Sequence, residues 1–359
     1  MESPIDITVV VPVRNEGRNI RATLTELLDQ DYSPDRYEVI VVDGRSDDNT
    51  SQVVRHVISE RSDRQVRLLD NPGRLSSCAR NLGVRAARGE LIAVIDGHVK
   101  IPTRQLFASM QRLKTQHAAL CLARPAPLFM SDGKGTMAEW IARARKTWLA
   151  HSQVSYIYSD HEGFVDPVSS GFAYDRAIFE QVGYFDESFD AAEDVEFHHR
   201  LKRAGIQAYT SAELTIYSFP RSSLRGLFRQ MTRYGVGRIR LIGKHRDAFS
   251  IETLVPAGIF LYFALLAAVA ALGVWRPLWA AVYATGFAVY AAILLATGIA
   301  SPPKHKGLLA SLKIAAAIAT THLGLGWGLV KETVAGRPWS SPLRGRHQPL
   351  ATAQRKSTA

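Results

Sequence analysis

The chain has 359 residues, 47% of them apolar, enough for one catalytic-sized core and a further region. Its formal charge of +11 and pI near 9.7 call for an anionic partner, whether phosphorylated ligand, anionic membrane surface or nucleic acid. Two cysteines, Cys78 and Cys121, exclude a disulfide framework and lack metal-ligand spacing, as suits a reducing compartment. The opening MESPIDITVVVP has no basic n-region, and Asp6 interrupts its apolar stretch, so a cleaved leader is not expected.

From about residue 5 to 125, β-rich runs alternate with helical patterns. ITVVVPV precedes a helix near Arg18 to Leu28, and YEVIVVD precedes one near Ser51 to Ser59. VRLLD is followed by a helix from about Ser77 to Ala87, stopped at Gly89, and then by LIAVID. Continuous apolar strands separated by helices predict a mostly parallel α/β sheet covered on both faces, which binds ligands beyond the carboxyl ends of its strands. Asp43 and Asp96 fall at such ends. Ser46, Asp47 and Asp48 are placed to cap the following helix.

Further on, FDESFDAAEDVEFHHRLKRAG reads as a loop entering a helix: Asp190 and Glu193 have capping-box spacing, Gly205 is the stop, and Asp194 lies in the first turn. Between Arg221 and Arg246, the series Arg221, Arg225, Arg229, Arg233 recurs every four residues beside Leu224, Leu227, Phe228 and Met231. That is an amphipathic helix suited to lie on anionic headgroups. No recognised nucleic-acid motif accompanies the basic charge, so nucleic acid is not the expected partner.

Leu254 to Trp275, Leu278 to Ala300 and Leu308 to Val330 are each long enough to cross the ~30 Å hydrocarbon layer. Only Arg276 and Pro277 separate the first two, which predicts a hairpin. Lys313 can snorkel, whereas His322 needs a protein partner. Basic residues before the first span, with Lys304 and Lys306 after the second, put both stretches on the cytoplasmic side. A third crossing would export a tail carrying Arg337, Arg344, Arg346, Arg355 and Lys356. The third segment is therefore either re-entrant or interfacial, or the tail breaks the charge bias.

A nucleotide diphosphate held at a parallel sheet needs contacts for base and ribose, a cation for its phosphates and a base for the nucleophile. Asp43 can accept from a base N–H or ribose hydroxyl, and Arg80 in CARNLGV can reach the nucleotide. In VIDGH, Asp96 and His98 are two residues apart and point the same way in extended chain, a candidate cation site. Imidazole suits Mn2+ better than Mg2+. Such a ligand must be deprotonated, so activity should fall as pH drops through the His98 pKa, about 6.5 if unperturbed. Asp194, kept ionised by the helix dipole, can take a proton from a sugar hydroxyl. His198 and His199 diverge by about 100° on a helix and read as packing or surface residues.

The ordered series VVVPVRNE, VVDGRSDDNT, ARNLGVRAARGE, VIDGH, SSGFAYDRAIFEQVGYFDESF, AEDVEF and FRQMTRYGVGR resembles the inverting family 2 glycosyltransferases of the GT-A fold. It is similar to the membrane-anchored ExoA-type glucosyltransferases of succinoglycan synthesis. The match spans roughly residues 5 to 246.

The resemblance implies a Rossmann-like, mostly parallel GT-A nucleotide-diphosphosugar transferase domain over 1–220 and a basic segment over 221–250 that completes the active site. A membrane region over 254–330 and a disordered basic tail over 331–359 follow. It further implies that Pro12, Val13, Asn15, Glu16, Asp43, Arg80 and Asp96 hold the nucleotide sugar and that Asp96 and His98 hold the metal. Asp194 is the implied general base, with Glu193 beside it, and Gln230, Arg233 and Tyr234 border donor and acceptor.

The family's commonest metal motif ends in Asp where His98 stands, and the Gln-x-x-Arg-Trp of processive synthases here reads Gln-Met-Thr-Arg-Tyr. The implied partners are a nucleotide-diphosphate sugar, a polyprenyl-diphosphate-linked saccharide and membrane lipids of a bacterial-type plasma membrane. A processive polysaccharide synthase and an inactive membrane scaffold are the alternatives. VPVRNEGRN lacks the Gly-x-Gly-x-x-Gly turn of a dinucleotide oxidoreductase.

Overall fold

The β-branched run Ile7–Val13 forms β1 at the centre of a sheet, flanked by β2 (Tyr37–Asp43) and β4 (Leu91–Val94), with β3 (Val66–Asp70) outside β2. All three pairings are parallel, and the register sets Val13 opposite Asp43 at the carboxyl edge. In this computed structural model residues 4–130, 135–150, 156–271, 277–301 and 307–336 are described. The connecting helices α1 (Ile20–Leu28), α2 (Thr50–Glu60) and α3 (Ser76–Ala86) fall within two residues of their expected positions.

Past β4 the sheet changes direction. The remaining elements of the domain are β5 (Val99–Lys100), α4 (Leu106–His117), β6 (Cys121–Ala123), α5 (Met137–Arg145), β7 (Gly163–Val165), β8 (Gly171–Asp175), α6 (Arg176–Val182), α7 (Glu193–Arg203), β9 (Ala208–Thr210) and β10 (Tyr217–Ser218). Strand β8 pairs antiparallel to both β4 and β6, giving the order β3-β2-β1-β4-β8-β6-β9-β7. One face buries Leu24, Leu27, Phe107 and Met110; the other buries Val84, Ile178, Phe197 and Leu201. Both faces are thus covered, as continuous apolar strands require.

After this domain come α8 (Leu224–Lys244), α9 (Leu254–Ala271), α10 (Pro277–Ala300) and α11 (Gly307–Ala335). The expected amphipathic helix exists, but its apolar side meets protein: Leu227 and Met231 are buried with Trp140 and Ile141 of α5 and Ile314 and Ile318 of α11. Its arginines at 225, 229 and 233 are exposed.

The 308–330 segment is one unbroken helix, not a re-entrant loop, and it runs parallel to α8. A Cβ on Gly235 would stand 2.4 Å from the Leu325 carbonyl, and one on Gly328 would stand 2.2 Å from that of Thr232. Glycine at those positions lets the two backbones touch. His322 finds its protein partners, with Nε2 2.7 Å from the Leu149 carbonyl and Nδ1 2.9 Å from the Tyr290 hydroxyl.

Among the described residues, two helices are long and apolar enough to cross a membrane, Ala281–Ala300 within α10 and Gly307–Ala335, whereas the apolar stretch Ile251–Leu266 is shorter. The turn residue Arg276, the pair Lys304 and Lys306, and the tail arginines from Arg337 onward lie outside the described residues.

Candidate active site

The carboxyl ends of β1 and β2 are laced together by side chains. Buried Asp43 accepts through Oδ1 from the Ser46 amide (3.2 Å) and hydroxyl (2.5 Å), and through Oδ2 from Ser51. Asn15, in the left-handed region at φ 58°, donates its amide to Ser46 Oγ at 2.9 Å and accepts from the Asp47 amide at 2.8 Å. The Glu16 amide donates to Thr50 Oγ1 at 2.8 Å. Pro12, Val13, Asn15 and Glu16 therefore form one wall with Asp43. Ser46 and Asp47 do not cap α2, whose cap position is Asn49; they bind the loop after β1 instead.

Beyond β4, the Ile95 amide still donates to Val10, and the chain then turns at Asp96-Gly97-His98. Asp96 lies 3.7 Å from Arg80, and His98 Nδ1 lies 3.0 Å from Glu16 Oε1. Burial works against the Asp96 charge, yet Arg80, His98 and Arg124 together hold its pKa below the usual value. The hydrogen bond that His98 donates to Glu16 raises the His98 pKa above the ordinary imidazole value, more than burial lowers it, and Asp96 adds to the rise. The pH fall expected near 6.5 is therefore displaced upward.

Arg80 reaches across from α3. Its Nε lies 3.3 Å from Glu193 Oε1, and its guanidinium sits 5.4 Å above the Phe185 ring. Burial opposes its charge, but Glu193, Asp194 and Asp96 hold its pKa up. Asn81, from the same CARN run, donates to the Phe185 carbonyl and to Glu187 at 2.8 Å each, and Ser77 donates to the Phe189 carbonyl at 3.0 Å. Helix α3 thus fixes the loop that delivers α7.

That loop does not use the expected capping box. The cap residue of α7 is Ala192, left-handed at φ 64°, with no side-chain cap; Asp190 points elsewhere. The Asp190 carbonyl accepts from Arg233 at 2.6 Å, and its carboxylate lies 3.7 Å from Arg240. Glu193 is buried, and burial raises its pKa against the pull of Arg80. Asp194 is half-buried and accepts from the Val195 amide at 2.8 Å. On α8, Gln230 donates to the Tyr234 hydroxyl at 3.4 Å, and Tyr234 is close enough for Arg145, Asp194, Arg221 and Asp96 to act on it.

Arg80, Asp96, Glu193, Asp194 and Tyr234 thus gather in one region, with Arg233 held beside it on the Asp190 carbonyl and His98 joined to it through Asp96 and to the β1 wall through Glu16. Sequence reasoning missed Arg124, which follows β6 directly, donates to the Ile216 carbonyl at 3.3 Å and acts on Asp96. Its only sequence signal is an arginine at the end of a strand. His198 is a packing residue, as expected: it lies 2.6 Å from the Tyr174 hydroxyl, and burial pushes it down to about 3.

Asp96 and His98 suit a divalent cation. Glu16 engages His98 Nδ1 and leaves Nε2 to bind, the arrangement that orients histidine ligands elsewhere. The Asp96 side chain is 42% exposed, and diphosphate oxygens would complete such a shell. Among the described residues, a separate trio, His199, His245 and Asp247, has donor atoms within 4.8 Å of one another, but His245 is held by Glu196 at 2.9 Å.

Residues 104–330 match the model "Glycosyl transferase family group 2", and residues 8–183 match "Glycosyl transferase family 2". The chain belongs to the family 2 glycosyltransferases. This glycosyltransferase is 29% identical over 276 residues to the succinoglycan biosynthesis protein ExoA of Rhizobium meliloti, covering 74% of this chain and 81% of that one. It is 26% identical over 263 residues to the dolichyl N-acetyl-alpha-D-glucosaminyl phosphate 3-beta-D-2,3-diacetamido-2,3-dideoxy-beta-D-glucuronosyltransferase of Methanococcus voltae, covering 72% and 80%. The mannosyltransferase PcManGT from Pyrobaculum calidifontis, solved with GDP-Man and Mn2+, shares the GT-A fold at a TM-score of 0.55 and 22% identity, with 89% of each chain covered.

Proposed function

We propose that this glycosyltransferase moves a sugar, with inversion, from a nucleotide-diphosphate sugar, a UDP-hexose, to a polyprenyl-diphosphate-linked saccharide. The observation that carries the reading is the convergence of Arg80, Asp96, Glu193 and Asp194 beyond the carboxyl edge of the sheet. Pro12, Val13, Asn15, Glu16 and Asp43 hold the nucleoside end. Asp96 and His98 would hold a divalent cation, Mn2+ in preference to Mg2+ because of the imidazole, and the ion would neutralise charge on the departing diphosphate.

Asp194, at the first turn of α7, takes the proton of the acceptor hydroxyl. That oxygen bonds to the anomeric carbon as the opposite carbon–oxygen bond breaks, and the electron pair leaves with the nucleoside diphosphate. Glu193 is not the base, because Arg80 engages it; it fixes the guanidinium instead. Arg233 adds positive charge at the leaving side, and Tyr234 offers a ring for a sugar to stack on. The relatives' names support the acceptor class, one carrying a dolichyl phosphate and the other serving succinoglycan synthesis.

Helices α9 and α10 form the membrane hairpin that keeps the catalytic domain on the cytoplasmic face of a bacterial-type plasma membrane. The test is Asp194→Asn. Transfer should fall by about 10²–10⁴ while nucleotide affinity is nearly unchanged. Turnover at the wild-type rate would remove Asp194 as the base.

A further inference from the structure

The reaction above leaves one feature unused, a cavity of about 740 Å³ between the end of α5 and α10. Its apolar wall includes Met130, Trp148, Ile293 and Ala296, and Arg143 and Lys146 line it with charge. The volume is that of a small-molecule site. The α10 residues in the wall belong to the last turns of the apolar helix, where the chain leaves its membrane-length stretch. Trp148 is 64% exposed there, an aromatic at the level expected for a membrane surface.

The other flank of α5 faces the active site. Arg145 points to α8, with NH1 3.3 Å from Met231 Sδ, and acts on Tyr234, while its Nε is buried without a hydrogen-bond partner. One helix, about 10 Å across, therefore separates the cavity from the sugar-handling residues, and three cations within about one turn at its end, Arg143 (paired with Glu139 at 2.9 Å), Arg145 and Lys146, run from one side to the other. A soluble acceptor needs no apolar wall on a membrane helix. A molecule with a long apolar tail, two phosphates and a saccharide needs all three surfaces in this order.

We infer that this cavity seats the diphosphate and first isoprene units of the lipid-linked acceptor, with Lys146 and Arg143 on the phosphates and Trp148, Ile293 and Ala296 against the tail. The inference rests on the acceptor class proposed above. Arg145 then guides the saccharide round α5 toward Tyr234 and Asp194.

The full chain in lipid nanodiscs is labelled with a diazirine-bearing polyprenyl diphosphate, and cross-linked peptides are mapped. Labels are expected on the peptides holding Trp148 and Ile293 to Ser301. They should be displaced by unlabelled polyprenyl diphosphate but not by phosphatidylglycerol, and be lost in Ala296→Trp, which fills the cavity. Lys146→Glu should raise the acceptor KM by about tenfold or more, with the affinity for free nucleoside diphosphate unchanged.

Labels mapping elsewhere, equal displacement by phosphatidylglycerol, or indifference to both substitutions would overturn the assignment of the cavity. A wild-type chain that labels here yet transfers to no lipid-linked saccharide would overturn the acceptor reading and leave the cavity as a polyprenyl-diphosphate site. One that transfers normally but labels elsewhere would overturn the cavity alone.

Discussion

Arg80 stands between two carboxylates that arrive on separate elements, Glu193 at the start of α7 and Asp96 after β4. Its side chain is 11% exposed and that of Glu193 8%, so neither charge has water to fall back on. Arg80→Met should therefore cost about 3–5 kcal/mol at neutral pH, the usual penalty for leaving one buried partner behind. The sign of its pH dependence follows from Glu193, whose pKa burial already raises and which loses its opposing cation in the variant. A raised carboxyl destabilises the fold above its unfolded pKa and is without effect below it, so the deficit should shrink as pH falls toward about 4.3. Thermal midpoints of variant and wild type, compared at neutral pH and near that value, read the difference; a deficit that stays constant would remove Glu193 as its source. The carboxylates were legible in the sequence because each sits in a recognisable strand-end or helix-start context, whereas Arg80, in the body of α3, was pointed to by the resemblance alone. Arg124 was not, since nothing local distinguishes an arginine after a short strand from a surface one. Nor was the cap of α7, because alanine at positive φ leaves no composition cue and a correctly spaced Asp190 and Glu193 suggested a capping box in its place.

At the scale of elements, the strands around β1 and their helices were readable from apolar runs and breakers alone. The antiparallel insertion of β8 was not, because strand direction depends on how the chain returns over distant residues, which periodicity does not encode. The pairing of α8 with α11 left a partial trace: YGVG in one and LGLGWG in the other are two glycine-interrupted helices, in which Gly235, Gly324 and Gly328 admit the partner helix, while Gly237 faces the Ala191 carbonyl and Gly326 that of Pro256 in α9. Where the glycines end, a buried ion pair takes over, Arg240 Nε to Glu332 Oε1 at 2.8 Å with side chains 4% and 5% exposed. The same guanidinium lies 3.7 Å from Asp190, in the loop that delivers Asp194. Glu332→Gln should destabilise by about 3–5 kcal/mol, whereas the paired change Arg240→Met with Glu332→Leu should recover most of that loss, because apolar packing commonly replaces a buried pair without penalty. Melting of the two variants side by side checks this. A double variant no more stable than the single one would show that Arg240 is held chiefly by Asp190 rather than by α11.

The same pairing decides how the whole molecule meets a membrane. Residues buried on α11 run from Ala310 to Glu332, against α5 and α8 of the catalytic half and also against α9 and α10, where a Cβ on Gly326 would stand 2.1 Å from the Pro256 carbonyl and one on Gly298 2.4 Å from that of Ser311; 44% of its most apolar stretch is covered, compared with 11% for α10. Its seating on α5 and α8, which belong to a half that carries exposed arginines, predicts that α11 does not cross the hydrocarbon layer. In the proposed arrangement α9 and α10 would make the return trip, and the end of α11 would stay beside the end of α8, on the catalytic side. The charge bias that a third crossing would violate is then kept by the tail, and Arg276, between the first two spans, is its exception. Single cysteines test the arrangement cleanly, because both native thiols are buried and burial pushes Cys78 up to about 12. Val334→Cys, at a site 80% exposed, and Ser33→Cys on the catalytic domain should resist a membrane-impermeant maleimide applied to intact cells and react after lysis. Leu278→Cys, near the start of α10, should react from outside. Labelling of Val334→Cys in intact cells would mean that α11 crosses the bilayer, and α8 would then have to leave the surface on which the active site depends.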